Sequence, residues 1–145
     1  MGDYSFLVGW DAKRGGGMGP ELEAKYYVPL FWMAMFDPVD ISSTHDGATF
    51  TKPPNATEKF EDTTYAYCDG ALALERLAAR LPAIGAVTSE SLAKRFAKFA
   101  QVYAARPVML RMSSLVQHPI QLQRMRESLA GVAYPKTSPD RLREN

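Results

Sequence analysis

The longest unbroken apolar run, Val28–Phe36, limits the folds open to this chain more than any other segment. Its nine residues are apolar on every side and have to be buried, yet roughly twenty are needed to cross a bilayer. Pro29 suits the first position of a helix, where its missing N–H costs nothing, and Asp37-Pro38 stops such a helix. We therefore predict a short buried helix over 29–36. A strand is the alternative, because periodicity cannot separate the two in so short a run.

The rest of the composition is that of a single small globular protein. The chain has 145 residues, of which 46% are hydrophobic and 23% charged, and this balance excludes a wholly disordered chain. We expect one domain over residues 1–134 and a polar tail over 135–145. The first residues carry no basic segment before an apolar stretch, and the single cysteine, Cys68, suits a reducing compartment. The expected location is the cytoplasm, with no membrane contact.

The first half of the chain shows few regular patterns. Residues 4–10 are β-branched and aromatic and predict a strand, whereas the glycine-rich run 14–20 predicts a flexible loop. Residues 37–62 carry no sustained period and predict a long loop, or a small hairpin around Asp46-Gly47. Loops of this length are uncommon within a compact domain and are often functional.

Helical spacing begins at residue 70. Apolar residues recur three and four positions apart from Leu74 to Leu81, and Pro82 ends this pattern. A second stripe lies within 89–103, and a third helix is predicted from Pro119 to a stop at Gly131. Residues 108–115 are compatible with a strand or a helix start. The sequence therefore predicts an α+β domain with three to four helices packed on a small sheet.

Charge is divided unevenly along the chain. Residues 1–75 carry 12 acidic against 5 basic side chains, a net of −7, and residues 76–145 carry 4 against 12, a net of +8. Such a division marks a binding surface, or else two halves that dock and mix their charges. The basic half allows nucleic-acid binding, but its cations are spread over several predicted helices and accompany no recognised nucleic-acid motif.

Candidate chemistry is sparse. His45 and His118 are far apart and form no metal-ligand spacing, and the glycine run lacks the Gly-Lys-Ser/Thr ending of a phosphate-binding loop. No signature surrounds Cys68, so a small hydrolase using Cys68 or His45 is the weakest alternative. We predict a non-enzyme with no catalytic, cofactor-binding or metal-binding residues and no cofactor.

The acidic half instead suggests a surface for a protein partner. Carboxylates interleaved with aromatic rings supply steering charge and contact area for a basic cleft. The alternative is that the rings belong to the core while the acids face water. The candidate partner-binding residues are Asp37, Asp40, Asp46, Glu58, Glu61, Asp62, Tyr65 and Asp69.

One stretch of the chain resembles a known family. The opening strand and residues 26–36 (YYVPLFWMAMF), followed by Asp40-Ile41, are similar to the N-terminal part of small bacterial immunity proteins encoded beside polymorphic toxins, including type VI secretion and Rhs effectors. The later order of elements fits loosely. This resemblance implies a cytoplasmic protein that binds a cognate secreted toxin and blocks its active site or substrate access. It transfers no binding residue, because such families vary where they touch the toxin.

Overall fold

An antiparallel sheet is the main layer of the structure, a computed structural model that describes residues 4–46, 50–57, 59–84 and 106–133. Its described strands are β1 (Tyr4–Asp11), β2 (Gly16–Lys25), β3 (Ile41–Ser43), β4 (Thr64–Cys68) and β5 (Val108–Arg111). They lie in the order β2-β1-β5-β4-β3, and every neighbouring pair is antiparallel. The middle of the sheet is therefore β5, which joins a β1–β2 pair to a β3–β4 pair.

The described part of the chain contains less helix than predicted. Helix α1 (Leu30–Met33) is one turn long, a 3₁₀ turn covers Pro38–Asp40, and the longer helices are α2 (Gly70–Ile84) and α3 (Pro119–Ala133). The prediction of three to four helices on a small sheet is wrong, because the fold is sheet-rich and only two helices of its described part exceed one turn. None of the described helices is both long and apolar enough to cross a membrane.

The glycine-rich run accounts for the underestimated sheet, because its residues from Gly16 onward form the start of β2 rather than a flexible loop. Asp11 accepts hydrogen bonds at Oδ1 from the backbone N–H groups of Lys13 and Arg14, at 3.0 and 3.2 Å, which tightens the turn into β2. Gly15 follows with φ of +75°, a conformation that L side chains rarely adopt. β2 then begins at Gly16 and pairs with β1 along most of its length.

Both faces of the sheet carry apolar side chains. One row on the first face crosses all five strands through Leu22, Leu7, Leu110, Ala66 and Ile41. This face packs against all three helices and forms the main core.

The helical contributions to this core are Trp32 of α1, Leu77 of α2, and Leu122, Leu129 and Val132 of α3. Leu77 and Leu129 are almost completely buried. The helices therefore serve to cover one face of the sheet.

The second face carries a smaller core. Val8, Trp10, Tyr65 and Met109 are buried there and are covered by side chains of the segment that includes Phe50 and Ala56. The indole N–H of Trp10 donates to the carbonyl of Pro54 at 3.0 Å, which fixes that segment across the strand. The long connection between β3 and β4 is thus partly a cover for the sheet.

The remaining expectations have mixed outcomes. The strand over 4–10 is confirmed, residues 108–111 form a strand, and the buried helix of the apolar run exists but spans only Leu30–Met33. α2 continues through Pro82 and α3 continues through Gly131, so neither residue ends its helix. Gly47, the predicted helix within 89–103 and the tail 135–145 lie outside the described residues.

Gly15 gives a direct test of this hairpin. A Cβ atom built there would lie 1.7 Å from the carbonyl oxygen of Asn55, whereas a Cβ at Gly16 would meet nothing within 4 Å. We expect Gly15→Ala to lower the free energy of unfolding by at least about 2 kcal/mol, through the positive φ and the displaced backbone. Gly16→Ala should change it by less than about 0.5 kcal/mol. Equal urea midpoints for the two variants would contradict the described packing.

Candidate functional site

Two of the candidate acids, Asp37 and Asp40, lie in an ion-pair network with α2. Arg76 places Nη1 2.6 Å from Oδ2 of Asp40 and Nη2 3.2 Å from Oδ2 of Asp37. The same Oδ2 of Asp40 accepts the backbone N–H of Asp37 at 2.8 Å. The three side chains are only 14–17% exposed, so this network stabilises the fold from within.

Arg80, one helical turn after Arg76, completes the network. Its Nη2 pairs with Oδ1 of Asp37, and its Nη1 donates to the carbonyls of Ala34 and Phe36 at 3.1 and 3.2 Å. Nη1 of Arg76 donates to the carbonyl of Met35 at 3.3 Å. The two guanidinium groups therefore supply hydrogen bonds to a fully buried turn, where unpaired carbonyls would be costly. We call these four charged residues, Asp37, Asp40, Arg76 and Arg80, the arginine clamp.

Asp46 is also paired across the chain. Arg126 of α3 contacts both of its carboxylate oxygens, at 2.7 and 3.2 Å, and each side chain is about one-third exposed. Together with the arginine clamp, this pair joins the acidic first half of the chain to the basic second half. Docking of the two halves therefore accounts for part of the uneven charge.

Tyr65 is a member of the second-face core. It is 4% exposed, its ring meets that of Phe50 edge-on at 6.1 Å, and its hydroxyl donates to the carbonyl of Thr51. Burial raises the pKa of this phenol, and the hydrogen bond with Ser42 opposes that effect. Its contacts are those of a core residue.

A small pocket adjoins Tyr65 on this face. Its volume is about 40 Å³, and Trp10, Phe60 and Met109 are among the residues that line it. That volume accommodates one or two water molecules, whereas small-molecule sites usually measure several hundred Å³.

Of the two residues of the hydrolase alternative, Cys68 is buried and His45 is half-buried. Cys68 is 5% exposed, and burial raises the pKa of its thiol to about 12, an effect that Asp40 increases and Arg76 opposes. A thiol with this pKa is almost wholly protonated near neutral pH and is a poor nucleophile. The Nε2 atom of His45 is buried without a hydrogen-bond partner in the described structure. Within the same residues, no group of three or more His, Cys, Asp or Glu side chains is arranged to hold a metal ion.

Three candidate acids remain at the surface, and they lie at two separate positions. Glu61 and Asp62 are exposed just before β4, and Asp69 is exposed just after it. The five residues of β4 separate the two positions by about 17 Å, from the usual rise of a strand. A single small contact cannot use both positions. Glu58 lies outside the described residues.

The structure adds two residues that the sequence did not single out, Tyr26 and Tyr27. They directly follow β2 and are 66% and 61% exposed, although they begin the 26–36 stretch that continues as the buried apolar run. An available signal was the alternation over residues 21–25, where Glu21, Glu23 and Lys25 are exposed. This alternation is typical of a half-buried strand and would have separated the tyrosines from the run.

Strand order brings the two tyrosines and two of the acids to one end of the sheet. Tyr4 pairs with Lys25, and Tyr65 and Phe6 both pair with Arg111, so the end of β2 and the start of β4 lie on the same side. Three strand spacings separate β2 from β4, which is about 14 Å. We call Tyr26, Tyr27, Glu61 and Asp62 the tyrosine–acid end of the sheet.

The arginine clamp should be required for folding. Arg76→Met leaves two carboxylates and the Met35 carbonyl without this partner, and breaking a pair of this burial costs about 3–5 kcal/mol of unfolding free energy. The control is Arg14→Met, because Arg14 is 84% exposed and its pair with Asp11 is 3.7 Å long. Arg14→Met should lower the free energy of unfolding by less than about 0.5 kcal/mol. Similar thermal midpoints for both variants would show that the clamp is dispensable.

The buried thiol should make stability depend on alkaline pH. Its folded-state pKa is higher than its ordinary value of 9.0, so the unfolded chain loses this proton first and stability falls between pH 9 and pH 12. From about pH 8 to about pH 10.5, we expect the thiol to account for about 2 kcal/mol of lost unfolding free energy.

Cys68→Ala isolates this contribution, because the phenols of Tyr65 and Tyr67 also have raised pKa values and lower the stability in the same way in both proteins. Urea denaturation of both proteins at the two pH values gives the difference. Parallel pH profiles would exclude a thiol with a raised pKa.

Comparison with known proteins gives no relative of this structure. No family model, no curated protein and no solved structure matches the chain.

Proposed function

We propose that this protein is a cytoplasmic immunity protein that binds a cognate secreted toxin and blocks its active site or substrate access. The observation that carries the proposal is the tyrosine–acid end of the sheet. It combines two exposed rings with two exposed carboxylates within the width of one protein interface, which covers roughly 800 Å² on each partner. The resemblance of residues 26–36 to immunity proteins supports the same function.

The charges of this surface favour a basic partner. Glu61 and Asp62 are in no ion pair with any other described residue, so their charge is open to solvent. Toxins that act on nucleotides or nucleic acids present cationic clefts to their anionic substrates, and carboxylates opposite such a cleft would speed association. The adjacent rings would supply apolar area once the surfaces meet. A domain seated in this way blocks substrate entry without any chemistry of its own.

The alternative functions receive less support from the described side chains. Arg76, Arg80 and Arg126 all engage carboxylates of the same chain, which reduces the basic surface open to a nucleic acid. The hydrolase alternative relies on Cys68, which is buried, or on His45, which is half-buried with a buried Nε2 atom. Neither alternative is favoured by a specific observation.

The first test is co-expression of the chain with the product of the neighbouring gene, inactivated if it is toxic. We expect a stable one-to-one complex on a sizing column. Elution of the chain by itself would contradict the proposed function.

The second test concerns the two acids. Glu61→Gln with Asp62→Asn removes two charges from the tyrosine–acid end, and asparagine tolerates the positive φ of 48° at position 62. We expect about tenfold weaker toxin binding at low salt, mainly through slower association, and a smaller loss at high salt. Surface plasmon resonance gives both rates.

The matched control removes two exposed carboxylates elsewhere. Asp69→Asn with Glu75→Gln alters the far end of β4 and the first half of α2, with the same change in net charge. The association rate should stay within about twofold of that of the wild type, since only the long-range electrostatic field of the protein changes. Equal losses in the two double variants would place the interface elsewhere.

A further inference from the structure

We propose that Tyr26 and Tyr27 form the anchor of the interface, and that the partner is a basic protein surface with an apolar recess that receives these rings. This inference rests on the proposed function and adds the residues that hold the complex together and the chemistry of the surface they bind. We call these two residues the tyrosine pair.

The exposure of the tyrosine pair is unusual for consecutive aromatic residues. At 66% and 61%, their exposed fractions are far above those of the residues that follow, since Val28 is 8% exposed and Trp32 is 8% exposed. Tyrosine and tryptophan supply the largest share of binding energy in protein interfaces, because a broad ring is buried at little entropic cost. Two adjacent exposed rings therefore have the character of an anchor.

The backbone holds the tyrosine pair outward. Tyr26 has φ of +72°, the left-handed region that non-glycine residues rarely adopt. The carbonyl of Tyr27 accepts a hydrogen bond of 2.8 Å from the hydroxyl of Ser5, and Ser5 is completely buried in β1. The backbone turn after β2 is thus fixed at both tyrosines. Little conformational entropy would therefore be lost when a partner binds. Unfavourable backbone geometry of this kind is concentrated at functional sites.

A cation orders one of the rings further. The Nζ atom of Lys25 lies 5.0 Å from the ring centroid of Tyr26 and 5.9 Å from that of Tyr4. The ring of Tyr4 in turn stacks on that of Phe6, with centroids 6.0 Å apart. Tyr26 is therefore linked through Lys25 to a pair of aromatic rings, Tyr4 and Phe6, on β1.

Neighbouring carboxylates favour a basic protein over a nucleic acid as the partner. Glu21 and Glu23 alternate as exposed residues along β2, and Glu61 and Asp62 lie about 14 Å away at the same end of the sheet. Glu23, Glu61 and Asp62 share the end of the sheet with the rings, and they would repel a phosphate backbone, whereas they attract lysine and arginine side chains. Lys25 already lies over the ring of Tyr26, and Tyr27 offers a second exposed ring that a lysine or arginine of the partner can bind.

The test measures binding of the inactivated product of the neighbouring gene to the wild type, to Tyr26→Ala with Tyr27→Ala, and to Val39→Ala. Val39 is the matched control, because it is 86% exposed and lies next to Asp40, before β3, at the other end of the sheet. We expect the tyrosine double variant to bind at least about 30-fold more weakly, mainly through faster dissociation, and Val39→Ala to bind within about twofold of the wild type.

A second variant separates binding from folding. Tyr26→Gly accepts the positive φ without strain, so we expect it to unfold at the same temperature as the wild type or a higher one, while binding more weakly. Weaker binding without a lower unfolding temperature is not expected of a residue whose only role is structural. Wild-type affinity together with a lower unfolding temperature would overturn the inference.

The outcomes distinguish the inference from the function on which it rests. A complex that forms with equal affinity for the wild type and the tyrosine double variant overturns the anchor but leaves the inhibitor function intact. Absence of any complex with the wild type overturns both. Loss of self-association in the double variant, or loss of its binding to a short oligouridine at physiological salt, would assign the rings to a second copy or to nucleic acid and would likewise overturn the inference.

Discussion

The arginine clamp is the interaction on which the rest of the structure depends. The apolar run between β2 and β3 is too short for a long helix and too apolar for the surface, so its backbone has to be buried in an irregular turn. Buried carbonyls need donors, and Arg76 and Arg80 bring these donors from α2. The same guanidinium groups neutralise Asp37 and Asp40, which fixes the entry into β3. One helix thereby satisfies the backbone of a segment more than thirty positions earlier.

The acidic residues fall into two classes, those that are paired with arginine and those that are exposed. Asp37 and Asp40 hold the chain together, and Asp46 joins α3 to the end of β3, so their charges are largely cancelled within the molecule. Glu61 and Asp62 stay exposed at the tyrosine–acid end of the sheet. The net charge counted along the first half of the sequence is therefore larger than the negative charge that is open at the surface. Burial and pairing decide which carboxylates can contribute to recognition.

Local patterns predicted the elements that are locally determined, and failed where partners lie far apart in the chain. The spacing from Leu74 to Leu81 and the β-branched run over 4–10 correctly indicate α2 and β1. β2 was missed because its start is glycine, and Gly15 is required by the close approach of Asn55, which no nearby residue reveals. The short strands β3 and β4 have too few residues to show a period. Asp40 and Glu61 look alike in sequence, and only the position of Arg76 separates their roles.

The place of β5 in the sheet determines the order in which the molecule can be completed. This strand pairs with β1 on one side and with β4 on the other, yet it is the last of the described strands to leave the ribosome. Among the described strands, β1 and β4 each have one edge that pairs only with β5, so without residues 108–111 the β1–β2 pair and the β3–β4 pair are separate and these two edges have no partner. Contacts between such distant segments close slowly. A chain truncated before residue 108 therefore exposes strand edges that are prone to pair with other chains.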